Sequence, residues 1–341
     1  MTKIVIDCLG GDNCPGACVE GAITALGKFG DLQLILAGDE KEISEKLKAS
    51  EGYEKVKDRI ELLHAPEVIT GEDKPTDAIR LKKNSSMMRS IDLLRNDESV
   101  KALVSTGATG SLVSAATIMI KRVRGIRRPA FCPVLPTMDG GIVGICDSGA
   151  NVDIMPEQLL QFAILGGNYI KTVYGVDSPR VALLNIGTES EKGDDLRKEA
   201  YKLLESASCV NFAGNMESRD LLSGKYDLVV CDGFSGNVLV KATEGTALSI
   251  LKRIKKDIAK KKKYMIGALF MKQMFMEEKE FFNYQNYGGS VLLGMEKTVV
   301  KGHGSSNAAA VAVCIGQAYK MTINNMNEKI AADLGSLLAQ E

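Results

Sequence analysis

The residues able to do chemistry sit in short polar loops, each directly after an apolar run. Asp7-Cys8-Leu9-Gly10-Gly11-Asp12 follows Ile4-Val5-Ile6. Its paired glycines let backbone N–H groups close on an anion, and the helix behind them adds its N-terminal dipole. A tight turn that needs positive φ would use the same glycines. Ser105-Thr106-Gly107-Ala108-Thr109-Gly110-Ser111 is the better anion cradle. Hydroxyls crowd a strand-to-helix turn there and glycines clear room for a phosphate, although Ser or Thr also caps helices. In Gly187-Thr188-Glu189-Ser190-Glu191-Lys192-Gly193 a lysine stands among acidic residues. It holds phosphate as a mobile point charge, or it is simply solvated.

A second pair of loops offers carbonyl chemistry. Asp232-Gly233-Phe234-Ser235-Gly236-Asn237 and Asp147-Ser148-Gly149-Ala150-Asn151 both follow apolar runs ending in Cys. In each, the Asn amide can donate to a developing oxyanion or cap the next helix. A divalent metal on Asp147, Asp153 and Asp232 is the weaker reading, because nothing in their spacing demands one. Neither a metal nor another cofactor is expected. His303 lies between Gly302 and Gly304, just before Ser305. It binds phosphate or moves a proton, or else caps local backbone. Cys146 and Cys231 end buried-looking strands and read as small, inert hydrophobes.

Bringing these loops together requires a particular architecture. Apolar runs without alternation fit strands buried on both faces. Helical patterns follow most of them, over 15–29, 110–123, 156–169, 194–206 and 237–259, and 84–88 reads as a further helix start. Strand, glycine turn and helix in repetition predict an α/β fold, three-layer α/β/α around a large, mostly parallel mixed sheet. Ligands in such sheets bind beyond the carboxyl ends of the strands, where every loop above would lie. One catalytic domain over 1–335 is expected.

Bulk properties bound the function. Lys+Arg and Asp+Glu both number 43 in the 341 residues, so no basic footprint for general nucleic-acid binding exists. Eight Cys without a CxxC pair, and only 2 His, exclude a zinc site of the usual spacing and suggest a reducing, cytoplasmic setting. Asp7 interrupts the N-terminal apolar stretch before it reaches signal-peptide length, and no run approaches the roughly 18 apolar residues of a membrane span. The stretch 245–289 differs from the rest. Leu248, Leu251, Ile254 and Ile258 recur at helical spacing among lysines, and a Met- and Phe-rich segment follows. It reads as a helical hairpin turning near 260–263.

Taken together, the loops resemble the PlsX family of acyl-carrier-protein:phosphate acyltransferases. The resemblance rests on the segments at 7–12, 149–153, 185–189, 232–237 and 303–306. Lys82-Lys83-Asn84-Ser85-Ser86-Met87, Arg128-Pro129-Ala130, Leu135-Pro136-Thr137 and Asn286-Tyr287-Gly288-Gly289 add to it, ordered along essentially the whole chain. It implies transfer of a long-chain fatty acyl group from acyl carrier protein to inorganic phosphate, giving acyl phosphate for phospholipid synthesis. It also implies a homodimer on a fold like that of isocitrate and isopropylmalate dehydrogenases and phosphate acetyltransferase. Lys192 and Asn237 match the family's proposed catalytic pair. Peripheral contact with anionic lipid at the inner face of the cell membrane is attributed to the hairpin, here Lys260, Lys263, Met265, Leu269 and Phe270. The same surface suits acidic acyl carrier protein, and a dimer interface would equally bury its apolar face. Two loops depart from the pattern: the first has Asn13 and Pro15-Gly16 where His or Tyr, then Ala-Pro, is common, and the second has Ala108 where Asn is common.

Two other readings compete. One is another enzyme on this fold, either a short-chain phosphate acyltransferase using coenzyme A or a dehydrogenase, although no dinucleotide fingerprint is visible. The other is a catalytically dead scaffold that brings acyl carrier protein to membranes.

Overall fold

Alternate side chains of each central strand enter different cores, and this creates the layers. In the computed structural model, which describes residues 1–338, the strands are β1 (Thr2–Asp7), β2 (Leu32–Gly38), β3 (Ile60–His64), β4 (Val100–Ser105), β5 (Ala130–Cys132) and β6 (Val134–Pro136). They continue as β7 (Ile142–Cys146), β8 (Val181–Asn185), β9 (Phe212–Glu217), β10 (Leu228–Val230), β11 (Ser290–Leu293) and β12 (Thr298–Lys301). The helices are α1 (Gly16–Lys28), α2 (Glu40–Ala49), α3 (Pro75–Leu81), α4 (Ser86–Asn96), α5 (Thr109–Met119) and α6 (Pro156–Tyr174). After them come α7 (Asp195–Ser206), α8 (Gly233–Ile258), α9 (Lys262–Phe270), α10 (Lys272–Phe281), α11 (Ala308–Ile323) and α12 (Met326–Leu338).

On β1, Ile4 and Ile6 pack into the core with Val19 and Ala22 of α1 and Val311 and Ile315 of α11. Val5 between them faces the opposite core, with Ile91 of α4 and Leu112 of α5. A strand buried on both faces must be apolar throughout, as the runs foretold. The second ladder repeats the arrangement. Leu183 and Val230 join Phe162 and Tyr169 of α6, while Ala182 and Val229 face Leu221 and Val240.

The three-layer α/β class holds, and its strands form two hydrogen-bonded ladders. One runs β3-β2-β1-β4-β12-β11-β5 and the other β6-β7-β10-β8-β9. They meet where β5 passes into β6 through Pro133, which has no N–H to give a ladder. The junction is still bonded, since Ile145 donates to the Pro133 carbonyl at 3.0 Å and Ser148 to the Phe131 carbonyl at 3.1 Å. β1, β4 and β12 run parallel in the first ladder, as do β7, β10 and β8 in the second.

Helix boundaries moved where long-range pairing intervened. The helix expected over 110–123 stops at Met119, because the chain beyond it pairs with the turn between β11 and β12. Val123 donates to the Gly294 carbonyl at 3.0 Å, and Glu296 to the Lys121 carbonyl at 2.8 Å. The helix expected over 156–169 continues to Tyr174, where Gly175 at φ 75° closes it. The one expected over 237–259 begins earlier, at Gly233.

The 245–289 stretch is helical, with its turn between Ile258 and Lys262. Its second arm breaks at Met271 into α9 and α10, and neither buries a residue. Leu269 and Phe270 are 70% and 85% exposed at the end of α9. Among the described residues no helix is long and apolar enough to cross a membrane.

Candidate active site

Four loops from the two ladders open onto one cavity at the junction. The start of α5, after β4, contributes Thr109, the loop after β7 Ser148, the end of β12 and the loop behind it Lys301 and His303, and the first turns of α8 Asn237 and Lys241. Its volume, about 170 Å³, falls below the roughly 300–1,000 Å³ that encloses a drug-sized ligand. It has room for a small anion and a carbonyl group, not for a fatty chain.

The first loop supports this cavity from behind. Asp7, fully buried, accepts from Ser86 Oγ at 2.5 Å and Ser105 Oγ at 2.7 Å. Burial pushes its carboxyl above the ordinary range, against the pull of the two hydroxyls. Gly10 is explained by close approach: a Cβ there would lie 2.3 Å from the Gly107 Cα. Asp12 donates its backbone N–H to the Gly304 carbonyl at 2.8 Å. Asn13, one of the two departures from the family pattern, ties the same loops together through bonds to the Ser305 and Ser306 carbonyls at 3.1 and 3.2 Å. The other, Ala108, leaves the N-terminus of α5 without a side-chain cap.

The two Asn residues that look alike in sequence differ in place. Asn151 is buried, and its amide N–H groups go to the Pro129 carbonyl at 2.7 Å and the Asp147 carboxylate at 3.0 Å. Asn237 is exposed to the cavity, and its amide makes no hydrogen bond among the described residues. Asp147 also accepts from the backbone of Phe131, Ala150 and Asn151, which occupies both of its oxygens with donors. Asp232 caps α8 through Ser235 N at 2.8 Å and pairs with Arg197 at 2.8 Å. Gly233 lets the start of α8 lie against Asn151, its N–H donating to the Asn151 carbonyl at 2.6 Å.

Lys192, with Gly187 and Thr188, does not line the cavity. Its loop folds back on β8, where the Asn185 amide donates to the Lys192 carbonyl at 3.0 Å, and its side chain is exposed. His303 stands at the cavity edge. Its Nδ1 lies 2.8 Å from Ser305 Oγ and accepts from the Ser305 backbone N–H at 3.2 Å. Burial, then Lys241 and Lys301, hold its pKa below the usual value. The local capping expected of His303 is present, and the residue lines the cavity as well.

Sequence reasoning did not single out Lys301, and it met Ser86 only as part of the 82–87 segment. Lys301 follows the apolar pair Val299-Val300 immediately before Gly302-His303, a signal of the same kind that marked the other loops.

Comparison with known proteins places the chain. The family described as "Fatty acid synthesis protein" matches residues 2–329. The chain belongs to this family. Relatives named Phosphate acyltransferase include one from Halalkalibacterium halodurans, 44% identical over 319 residues covering 94% of this chain and 92% of that protein. Another, from Bacillus subtilis, is 42% identical over 324 residues covering 95% of each. Among solved structures, a phosphotransacetylase from Streptococcus pyogenes superimposes with a TM-score of 0.62 at 16% identity, over 95% of this chain and 94% of that one. The EutD phosphotransacetylase from Staphylococcus aureus gives 0.56 at 16% identity, over 96% and 94%. At such identity these two structures establish the shared fold.

Proposed function

We propose that this enzyme transfers a long-chain fatty acyl group from acyl carrier protein to inorganic phosphate, forming acyl phosphate for phospholipid synthesis. Family membership supports acyl transfer to phosphate. The observation that carries the reading is the junction cavity, which sets a lysine ammonium and an uncommitted Asn amide in one small space. A phosphate oxygen attacks the thioester carbonyl carbon; the C–O bond forms, the C–S bond breaks, and the carrier thiolate leaves and takes up a proton. Both reactants are competent, so no enzyme nucleophile is needed. The protein must hold two anionic partners together and stabilise the tetrahedral oxyanion. Asn237 supplies the oxyanion donor, and Lys192, on an exposed loop outside the cavity lining, a mobile charge that draws phosphate in.

Incubation with long-chain acyl carrier protein and phosphate, followed by thiol release, tests this. Release that depends on phosphate is expected. Release only from acyl coenzyme A would move the donor assignment, and release from neither would sink the reading.

The domain reading is one catalytic unit over 1–335 with the 245–289 hairpin projecting from it. We assign to the hairpin a peripheral contact with anionic lipid at the inner face of the membrane in a cytoplasmic homodimer. Exposed Met265, Leu269 and Phe270 beside Lys260 and Lys263 suit an interfacial helix. Liposome flotation with Leu269→Glu and Phe270→Glu decides: lost flotation supports lipid contact, and unchanged flotation assigns the apolar face to the dimer.

A further inference from the structure

Lys301 is a buried cation with an unfilled donor. Its residue is 8% exposed, at the end of β12. An ammonium taken out of water is costly unless it is paired. Three N–H groups meet two acceptors here, the Thr106 carbonyl at 3.4 Å and the Gly302 carbonyl. Among the described residues no carboxylate forms an ion pair with it. Asp7, the nearby acid, is already occupied by Ser86 and Ser105.

The other cationic candidates of the cavity are spoken for. Lys241 is exposed and pairs with Glu244 at 2.7 Å. His303 is held below its usual pKa, so it is neutral at pH 7. Lys301 itself is lowered to about 8 by burial, while Cys314, Asp7, Asp12 and Cys14 pull it back up. Its ammonium form therefore dominates at neutral pH. Beside it, α5 begins without a side-chain cap, and Thr109 at that start lines the same cavity.

We propose that Lys301 is a phosphate-binding residue: its free N–H reaches an oxygen of the attacking phosphate, and the uncapped backbone N–H groups at the start of α5 take a second oxygen. The ammonium then finds the anion that its buried position lacks. This rests on the reading of the cavity as a phosphate acyl-transfer site, and it assigns that site's anion subsite.

The test titrates inorganic phosphate into the full chain without any acyl donor, by calorimetry or phosphorus NMR. It stays informative even if thiol-release assays find a different donor. Lys301→Met should weaken phosphate binding roughly tenfold or more. In turnover, KM for phosphate should rise while KM for the acyl donor stays. Lys301→Arg keeps the charge and should keep most of the affinity. Wild-type binding should decline as pH rises through about 8, and the Arg variant should not follow. Unchanged binding by folded Lys301→Met, a loss confined to kcat, or a parallel decline of wild type and Lys301→Arg above that pH would each overturn the assignment. So would a wild-type protein that binds no phosphate.

Discussion

Arg197 donates from Nη2 to the Asp232 carboxylate at 2.8 Å, with side chains only 18% and 11% exposed. That bond ties the helix after β8 to the first turn of α8. The same guanidinium reaches the Leu184 carbonyl and Ser235 Oγ, so α8 is fixed at its first turn, next to Asn237. Arg197→Ala leaves Asp232 without its partner. The expected cost is about 3 kcal/mol in urea unfolding, together with a lower kcat because the Asn237 amide loses its fixed position. A variant with wild-type stability and kcat would show that the pair positions nothing.

Asp7 predicts an unusual pH dependence. Burial raises its folded-state pKa above 3.8, so the folded protein holds this proton more tightly than the unfolded chain. The associated stability is full below the unfolded value and is lost as pH rises through the folded one. Asp7→Asn carries no proton to lose. Its stability relative to wild type should improve steadily from about pH 4 upward and then level off. Urea midpoints measured across that range check the sign, and a variant that loses stability relative to wild type as pH rises contradicts it.

The frame was legible because its physics is local. Ile4-Val5-Ile6 and Val229-Val230 are apolar throughout, and only burial on both faces explains that pattern. Glycine turns after such runs mark strand ends directly. The site was legible in part, because its decisive features depend on distant chain. Nothing local distinguishes Asn151 from Asn237; the Pro129 carbonyl separates them by taking the Asn151 amide. Lys301 resembles any lysine at the end of a strand until the Thr106 carbonyl, nearly two hundred residues earlier in the chain, closes over it. Lys192 was singled out through the family resemblance, yet its loop folds onto Asn185 and it does not line the cavity.

Two glycines of α8 separate packing from helix propensity. A Cβ on Gly236 would lie 2.0 Å from the Asp147 carbonyl oxygen, whereas one on Gly245 meets nothing within 4 Å. Gly236→Ala must push the first turn of α8 off the loop after β7, at roughly 1–3 kcal/mol. Gly245→Ala should instead stabilise by about 0.5–1 kcal/mol, because alanine loses less backbone entropy in a helix. Thermal unfolding of the pair settles the matter: both variants moving in the same direction contradicts the close-approach argument.

Asn237, Asn151 and Lys192 carry the test of the division of labour. Asn237 is exposed and makes no internal bond among the described residues, so Asn237→Ala should leave stability unchanged and lower kcat by roughly a hundred- to a thousandfold, as for loss of an oxyanion donor. Asn151→Ala removes two buried hydrogen bonds and should cost about 2 kcal/mol of stability. Its activity loss should follow unfolding alone. Lys192→Ala, on an exposed loop outside the cavity lining, should spare stability and raise KM for phosphate, because a mobile charge acts on binding. Full activity in Lys192→Ala would leave Lys301 as the cation that the anion meets. Full activity in Asn237→Ala would remove the oxyanion donor from the mechanism, since the other Asn amide has no N–H left to give.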